Sequence, residues 1–151
     1  MGPPAAEPIG VQVARTAKAL NRAFDQALAA AGGSLPVWLV LVSLKARHHG
    51  MQRELADAVG IEGPTLTHHL NRMESAGLIT RRRDPDNRRI HRVELTEEGE
   101  ATFSRLLLSV TAFDQSLRAG LSNKEIEAVT RTLARLRDNV ASSPDGEDAE
   151  G

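Results

Sequence analysis

Apolar positions recur along this chain at two periods, and the changes of period mark its elements. Val13, Ala17, Leu20, Phe24 and Leu28 return every third or fourth residue, which predicts a helix from Val11 to Ala31, stopped by Gly32-Gly33. Ser34 then caps a second helix, Leu35 to about His48, whose Val37-Trp-Leu-Val-Leu-Val42 stretch is apolar nearly all round and must be covered on several sides. Leu55, Ala56 and Val59 mark one face of a short helix, Gly60 supplies a turn, and Leu66, Leu70 and Met73 mark one face of the next helix. From Leu78 to Leu95 the period shortens: two runs with β-branched residues flank Asp84-Pro-Asp-Asn87, with Val93 and Leu95 alternating inward, as in a β-hairpin. Thr96 caps a long helix with Glu97 and Glu98 in its first turn, where carboxylates favour the positive end of the dipole. Phe103, Leu106, Leu107, Val110, Phe113 and Leu117 form its stripe, and Gly120 ends it. Ser122-Asn-Lys-Glu125 is a capping box opening a last helix in which Ile126, Val129, Leu133, Leu136 and Val140 repeat at alternating threes and fours.

The two short helices around Gly60 have the outline of a helix-turn-helix. Ala56 is small enough to let the second helix cross closely, Gly60 tolerates positive φ, and Ile61 can plug the gap. Gly63-Pro64 opens the second helix, because Pro there loses only an amide hydrogen that had no intrahelical partner. With Leu66, Leu70 and Met73 inward, Thr65, Thr67, His68, Asn71 and Arg72 face out, and that polar face can bond phosphates or base edges. A purely structural helical hairpin has the same outline. Between Thr80 and Val93 lie six arginines (Arg81, Arg82, Arg83, Arg88, Arg89, Arg92) against two aspartates. A solvated face is the plain reading of such a run. Directly after a recognition-type helix, however, it stands where a winged helix presents its wing along the backbone or in the minor groove.

Thr65-Leu-Thr-His-His-Leu-Asn-Arg-Met-Glu74, Gly77-Leu-Ile79, Asp84-Pro-Asp-Asn-Arg-Arg89 and Val93-Glu-Leu-Thr-Glu-Glu-Gly99 resemble the recognition helix, wing and wing exit of the MarR (multiple antibiotic resistance regulator) family, over roughly Ile9 to Val140. The resemblance implies a mainly α (α+β) fold: a winged helix-turn-helix with a two-stranded β-wing and an α-helical dimerisation framework. It implies a sequence-specific, double-stranded DNA-binding regulator with Pro64, Thr65, Thr67, His68, Asn71 and Arg72 at the major groove. The wing contacts would be Arg81, Arg82, Arg83, Arg88, Arg89 and Arg92. The family wing carries an Asp, one residue, then an Arg that enters the minor groove. Here Arg89 takes the arginine role but Asn87 stands at the acidic position, and a neutral amide orients an arginine more weakly than a carboxylate. Asp86 and Asp84 are the candidates to replace it.

A length of 151 residues suggests one domain. The expected divisions are a disordered 1–8, dimerisation helices over 9–33 and 97–141, a winged-helix lobe over 34–96 and a disordered acidic tail over 142–151. One wing-bearing lobe does not need two further amphipathic helices, so they are expected to pair two copies on a pseudo-palindromic operator; packing within one chain is the alternative. The net charge of −1 carries no overall basic signal; the signal is segregation, a basic wing against Asp145, Glu147, Asp148 and Glu150 in the tail. Without cysteine, thiol sensing is excluded. Neither a signal peptide nor a membrane span is visible, since Val37 to Val42 is far below the roughly 20 apolar residues a span needs, and a cytoplasmic location is expected.

In the resembled family a small aromatic or anionic effector often binds where framework meets lobe, and Phe24, Trp38, Leu39, Val42 and Phe103 are the candidates to line such a pocket; they are more simply core residues. His48-His49 and His68-His69 are adjacent pairs, and neighbours on a helix point about 100° apart, so neither makes a local metal site. His68 is better placed for DNA, His69 for a half-buried seat against the first helix of the motif, and His91 for phosphates or plain exposure. No metal or cofactor is expected. A phosphate-cradling glycine loop, zinc-hydrolase spacing and a nucleophile turn are missing, which argues against an enzyme. The competing class is a winged-helix module that binds another protein, but its recognition helix would present an apolar outer face.

Overall fold

A computed structural model describes residues 1–3, 5–47 and 50–142. The His48-His49 pair and the acidic residues of the expected tail lie outside the described residues. The elements are α1 (Ile9–Ala30), α2 (Leu35–Arg47), β1 (Gly50–Met51), α3 (Gln52–Val59), α4 (Gly63–Ser75), β2 (Ile79–Arg83), β3 (His91–Leu95), α5 (Glu97–Arg118) and α6 (Asn123–Ala141). Two compact units divide them, one up to Phe113 and one from Asp114 onward.

In the first unit, α1 ends where Gly32 takes φ +82°, and α2 leaves at an 80° bend. Asp25 Oδ1 accepts the Leu35 N–H at 3.0 Å and Ser34 Oγ accepts that of Val37 at 3.4 Å, so two of the orphan donors at the start of α2 are satisfied. The all-round apolar helix is covered as its composition requires: Trp38, Val40, Leu41 and Leu44 are buried with Leu28 of α1, Leu106 of α5 and the inward faces of the motif. Leu66, Leu70 and Met73 of α4 are among the most deeply buried side chains, and Ile61 packs against the same core. Gly60 adopts φ +70° in the turn between α3 and α4.

The wing hairpin pairs antiparallel with Ile79 opposite Leu95 and Arg83 opposite His91. A short strand unannounced by the sequence pattern, β1, adds to its other edge, with Gly50 opposite Val93, so the sheet order is β1-β3-β2. Thr96 caps α5 by accepting the Gly99 N–H at 3.0 Å. Gly99 itself touches the turn before β2, because a Cβ there would stand 2.1 Å from the Leu78 carbonyl oxygen. The start of α5, the end of α4 and the wing are thereby fixed to one another.

In the second unit, Ser122 and Glu125 form the full capping box of α6, with Glu125 N–H donating to Ser122 Oγ at 3.2 Å and Ser122 N–H to Glu125 Oε1 at 3.1 Å. None of the α6 residues is buried. Among the described residues, no single helix is long and apolar enough to cross a membrane.

Candidate nucleic-acid interface

Burying one stripe of α4 forces its other residues outward: Pro64, Thr65, His68, Asn71 and Arg72 are exposed and Thr67 is half-buried. The Thr67 hydroxyl is already engaged. It donates to the Gly63 carbonyl at 2.9 Å and accepts from Gln52 Nε2 at 2.8 Å, tying the start of α3 to the start of α4.

Asp84 organises the wing tip. It is 4% exposed, its Oδ1 accepts the Asp86 and Asn87 N–H groups at 2.8 and 3.3 Å, and its Oδ2 accepts from Arg92 Nε at 2.7 Å. The Arg92 guanidinium, with those two backbone donors, holds the Asp84 carboxyl below the usual aspartate range. Asn87 in turn accepts the Arg89 N–H on its Oδ1 at 3.2 Å, so the amide at the family's acidic position fixes the backbone of Arg89 rather than its guanidinium. Asp84 is committed to the turn and to Arg92. Among the described residues no ion pair joins Arg89 to Asp84 or Asp86.

The six wing arginines therefore divide. Arg92 braces Asp84, and Arg81 reaches back to α4, where Glu74 and Asn71 accept from it. Both are among the wing contacts that the resemblance implies. Their internal partners follow from strand register, which brings Arg92 beside the turn and Arg81 beside the last turn of α4. Arg82, Arg83, Arg88 and Arg89 are exposed and, among the described residues, form no ion pair. A polar helix face thus adjoins a hairpin with two exposed arginines on β2 and two on the turn before β3, an arrangement suited to a polyanion.

The MarR family model matches residues 34–91, from the cap of α2 to the first residue of β3. Solved structures of this fold include the transcriptional repressor CouR bound to a 23-mer DNA duplex, with 27% identity, 86% of this chain and 92% of that one covered, and a TM-score of 0.80. A point variant of Escherichia coli MarR complexed with operator DNA has 22% identity, covers 85% and 93%, and has a TM-score of 0.79. Bordetella bronchiseptica BpsR, whose DNA binding is regulated by 6-hydroxynicotinic acid, has 22% identity, 87% and 99% coverage and a TM-score of 0.79. Residues 34–91 thus resemble the MarR family, and the chain shares the winged-helix fold of these structures.

Behind α4 lies a cavity of about 660 Å³, lined by Val37, His69, Arg72, Met73, Thr102 and Arg105 among others. His69 is half-buried as expected, but its seat is this cavity, beside α2 and α5. Burial, with the charges of His68 and Arg72, pushes its pKa below the ordinary histidine value. The five expected pocket residues do not line it. Trp38 stacks on Phe103 at 5.4 Å between ring centroids, Phe24 stacks on Phe113 at 5.0 Å, and Leu39 and Val42 pack against the core. Sequence reasoning missed His69 and Arg105 as cavity residues. For His69 the available signal was a titratable side chain at a half-buried position of α4; Arg105, exposed on α5, gave none. A second groove, of about 740 Å³, runs between α4 and the wing beside Thr67, Arg89 and His91.

Proposed function

We propose that this MarR-family regulator binds double-stranded DNA sequence-specifically as a homodimer, represses from a pseudo-palindromic operator and is released by a small aromatic or anionic effector. The observation that carries the reading is the polar α4 face beside four uncompensated wing arginines. In this reading Thr65, His68, Asn71 and Arg72 approach base edges from the helix that Pro64 opens. Thr67 acts through its bond to Gln52. Arg89 enters the minor groove, and Arg82, Arg83 and Arg88 hold phosphates.

The dimer is supported by apolar surface on each unit. Ile9, Val11, Leu107 and Leu108 are exposed in the first, and Val129, Leu133 and Val140 on α6 in the second. The BpsR relative supports an effector, and the cavity behind α4, with Arg72, Arg105 and His69 on its wall, is its candidate seat; the aromatic cluster around Trp38 holds that wall in place. In this reading the protein works in the cytoplasm and needs no cofactor.

The test is fluorescence-anisotropy titration against the chain's own upstream intergenic DNA and a scrambled duplex over roughly 50 to 200 mM salt, where each phosphate contact adds about 0.9 to the log–log slope. Preferential, steeply salt-dependent binding at one dimer per site is the expected outcome. Absence of binding to every duplex at low salt would replace this reading with a protein-interaction module.

A further inference from the structure

Three groups converge where the recognition helix hands the chain to the wing. Glu74 is on the last turn of α4 and Arg81 on β2, with the turn through Gly77, at φ +76°, between them. Glu74 Oε2 accepts the Arg81 backbone N–H at 3.2 Å and its Nε at 3.3 Å, and Oε1 accepts Nη2 at 3.2 Å. The same Nη2 donates to Asn71 Oδ1, one turn earlier on α4. The Arg81 side chain is only 18% exposed. The carboxylate thus holds the strand's backbone as well as its side chain, which a loose surface ion pair does not do. Arg81 also holds the Glu74 carboxyl below its ordinary range.

We infer that Arg81, Glu74 and Asn71 form a clamp that sets the angle of the wing to the recognition helix, so that Arg81 and Glu74 are positioning residues for Arg89 and for Asn71 rather than DNA contacts. This rests on the DNA-binding reading above. Electrostatics gives the distinguishing sign. Deleting an anion beside a DNA-binding face should tighten binding, because the phosphates lose a repulsive neighbour. Deleting the anion of a clamp loosens binding instead. Arg81, if neutralised in the clamp, adds nothing to the salt slope, whereas a phosphate-binding arginine adds about 0.9.

The experiment compares wild type, Arg81→Ala, Glu74→Ala, the double variant and Glu74→Gln, which keeps oxygen and shape but not charge. Operator affinity, salt slope, and amide hydrogen exchange of the free proteins are read on each, after circular-dichroism melting has established that α4 and the core are folded. Both single alanine variants should lose roughly tenfold in operator affinity, the range of one charge-assisted contact. The double variant should lose no more than the weaker single, the salt slope should stay constant, Glu74→Gln should recover part of the affinity, and exchange should quicken in β2 and β3 but not in α4. Tighter or unchanged binding by Glu74→Ala, a slope lowered by about one in Arg81→Ala, or wing amides that exchange as in wild type would each overturn the clamp. Wild-type protein that binds no duplex would sink the regulator reading separately, leaving the exchange result to decide the clamp.

Discussion

Arg89 and Arg92 sit three residues apart with the same side chain, and their surroundings give them opposite work. Arg92 spends its guanidinium on a buried carboxylate, while Arg89 is exposed with only its backbone pinned by Asn87. Arg89→Ala should therefore weaken operator binding by about 1–3 kcal/mol and relax preference at one flanking position, read by titration against single-base operator variants. Gly99 has the reverse logic, since the constraint is steric. Gly99→Ala would force a methyl into the Leu78 carbonyl and should lower stability by about 1–3 kcal/mol in denaturant unfolding. His69 faces Asp25, Glu98, Arg72 and Arg105 around its cavity, with His68 beside it. Its folded-state pKa is depressed, so its neutral form is the one the fold accommodates. Stability should be full above about pH 6.5, its unfolded value, and fall as pH drops below it. Thermal melting of wild type against His69→Gln between about pH 5 and 8 checks this; equal pH slopes would remove the assignment.

The recognition helix works as an element because one stripe is committed to the core. Leu70→Ala leaves a cavity at a fully buried position and should cost about 2–5 kcal/mol, with the far-ultraviolet melting midpoint falling before any DNA contact is touched. The wing follows a different principle. It has little core of its own, so its order comes from Val93 between two strands, from the Asp84 turn and from the contact of Arg81 with α4. Of these elements the helix was fully legible in the sequence, since a 3.6-residue period, a glycine turn and a proline start are local signals. The wing was legible as a hairpin but not as a division of labour. Six arginines are chemically alike, and which of them is compensated depends on cross-strand register and on the end of α4, several residues away in sequence. The strand β1 escaped for the same reason, being only two residues that a distant partner, β3, makes extended.

In the proposed homodimer the exposed stripes would acquire a purpose. A 19-residue helix with a full capping box and no buried residue is stable in few settings other than against a partner surface. Leu133→Asp should therefore shift sedimentation from dimer to monomer and weaken operator binding through lost two-fold engagement, while leaving the melting of the winged-helix lobe near wild type. A dimer that persists in Leu133→Asp would place the partner surface elsewhere.

The order of helices, the inward faces of α3 and α4, the caps at Ser34, Thr96 and Ser122 and the fold class were all written in local patterns. Burial, capping and turn chemistry depend on residues within a few positions of one another. Folding decided the rest: it paired Arg81 with Glu74 and Arg92 with Asp84, packed the aromatic candidates against the core and opened a cavity at His69 and Arg105. Each of these depends on distances between residues remote in the chain, and no periodicity encodes such distances.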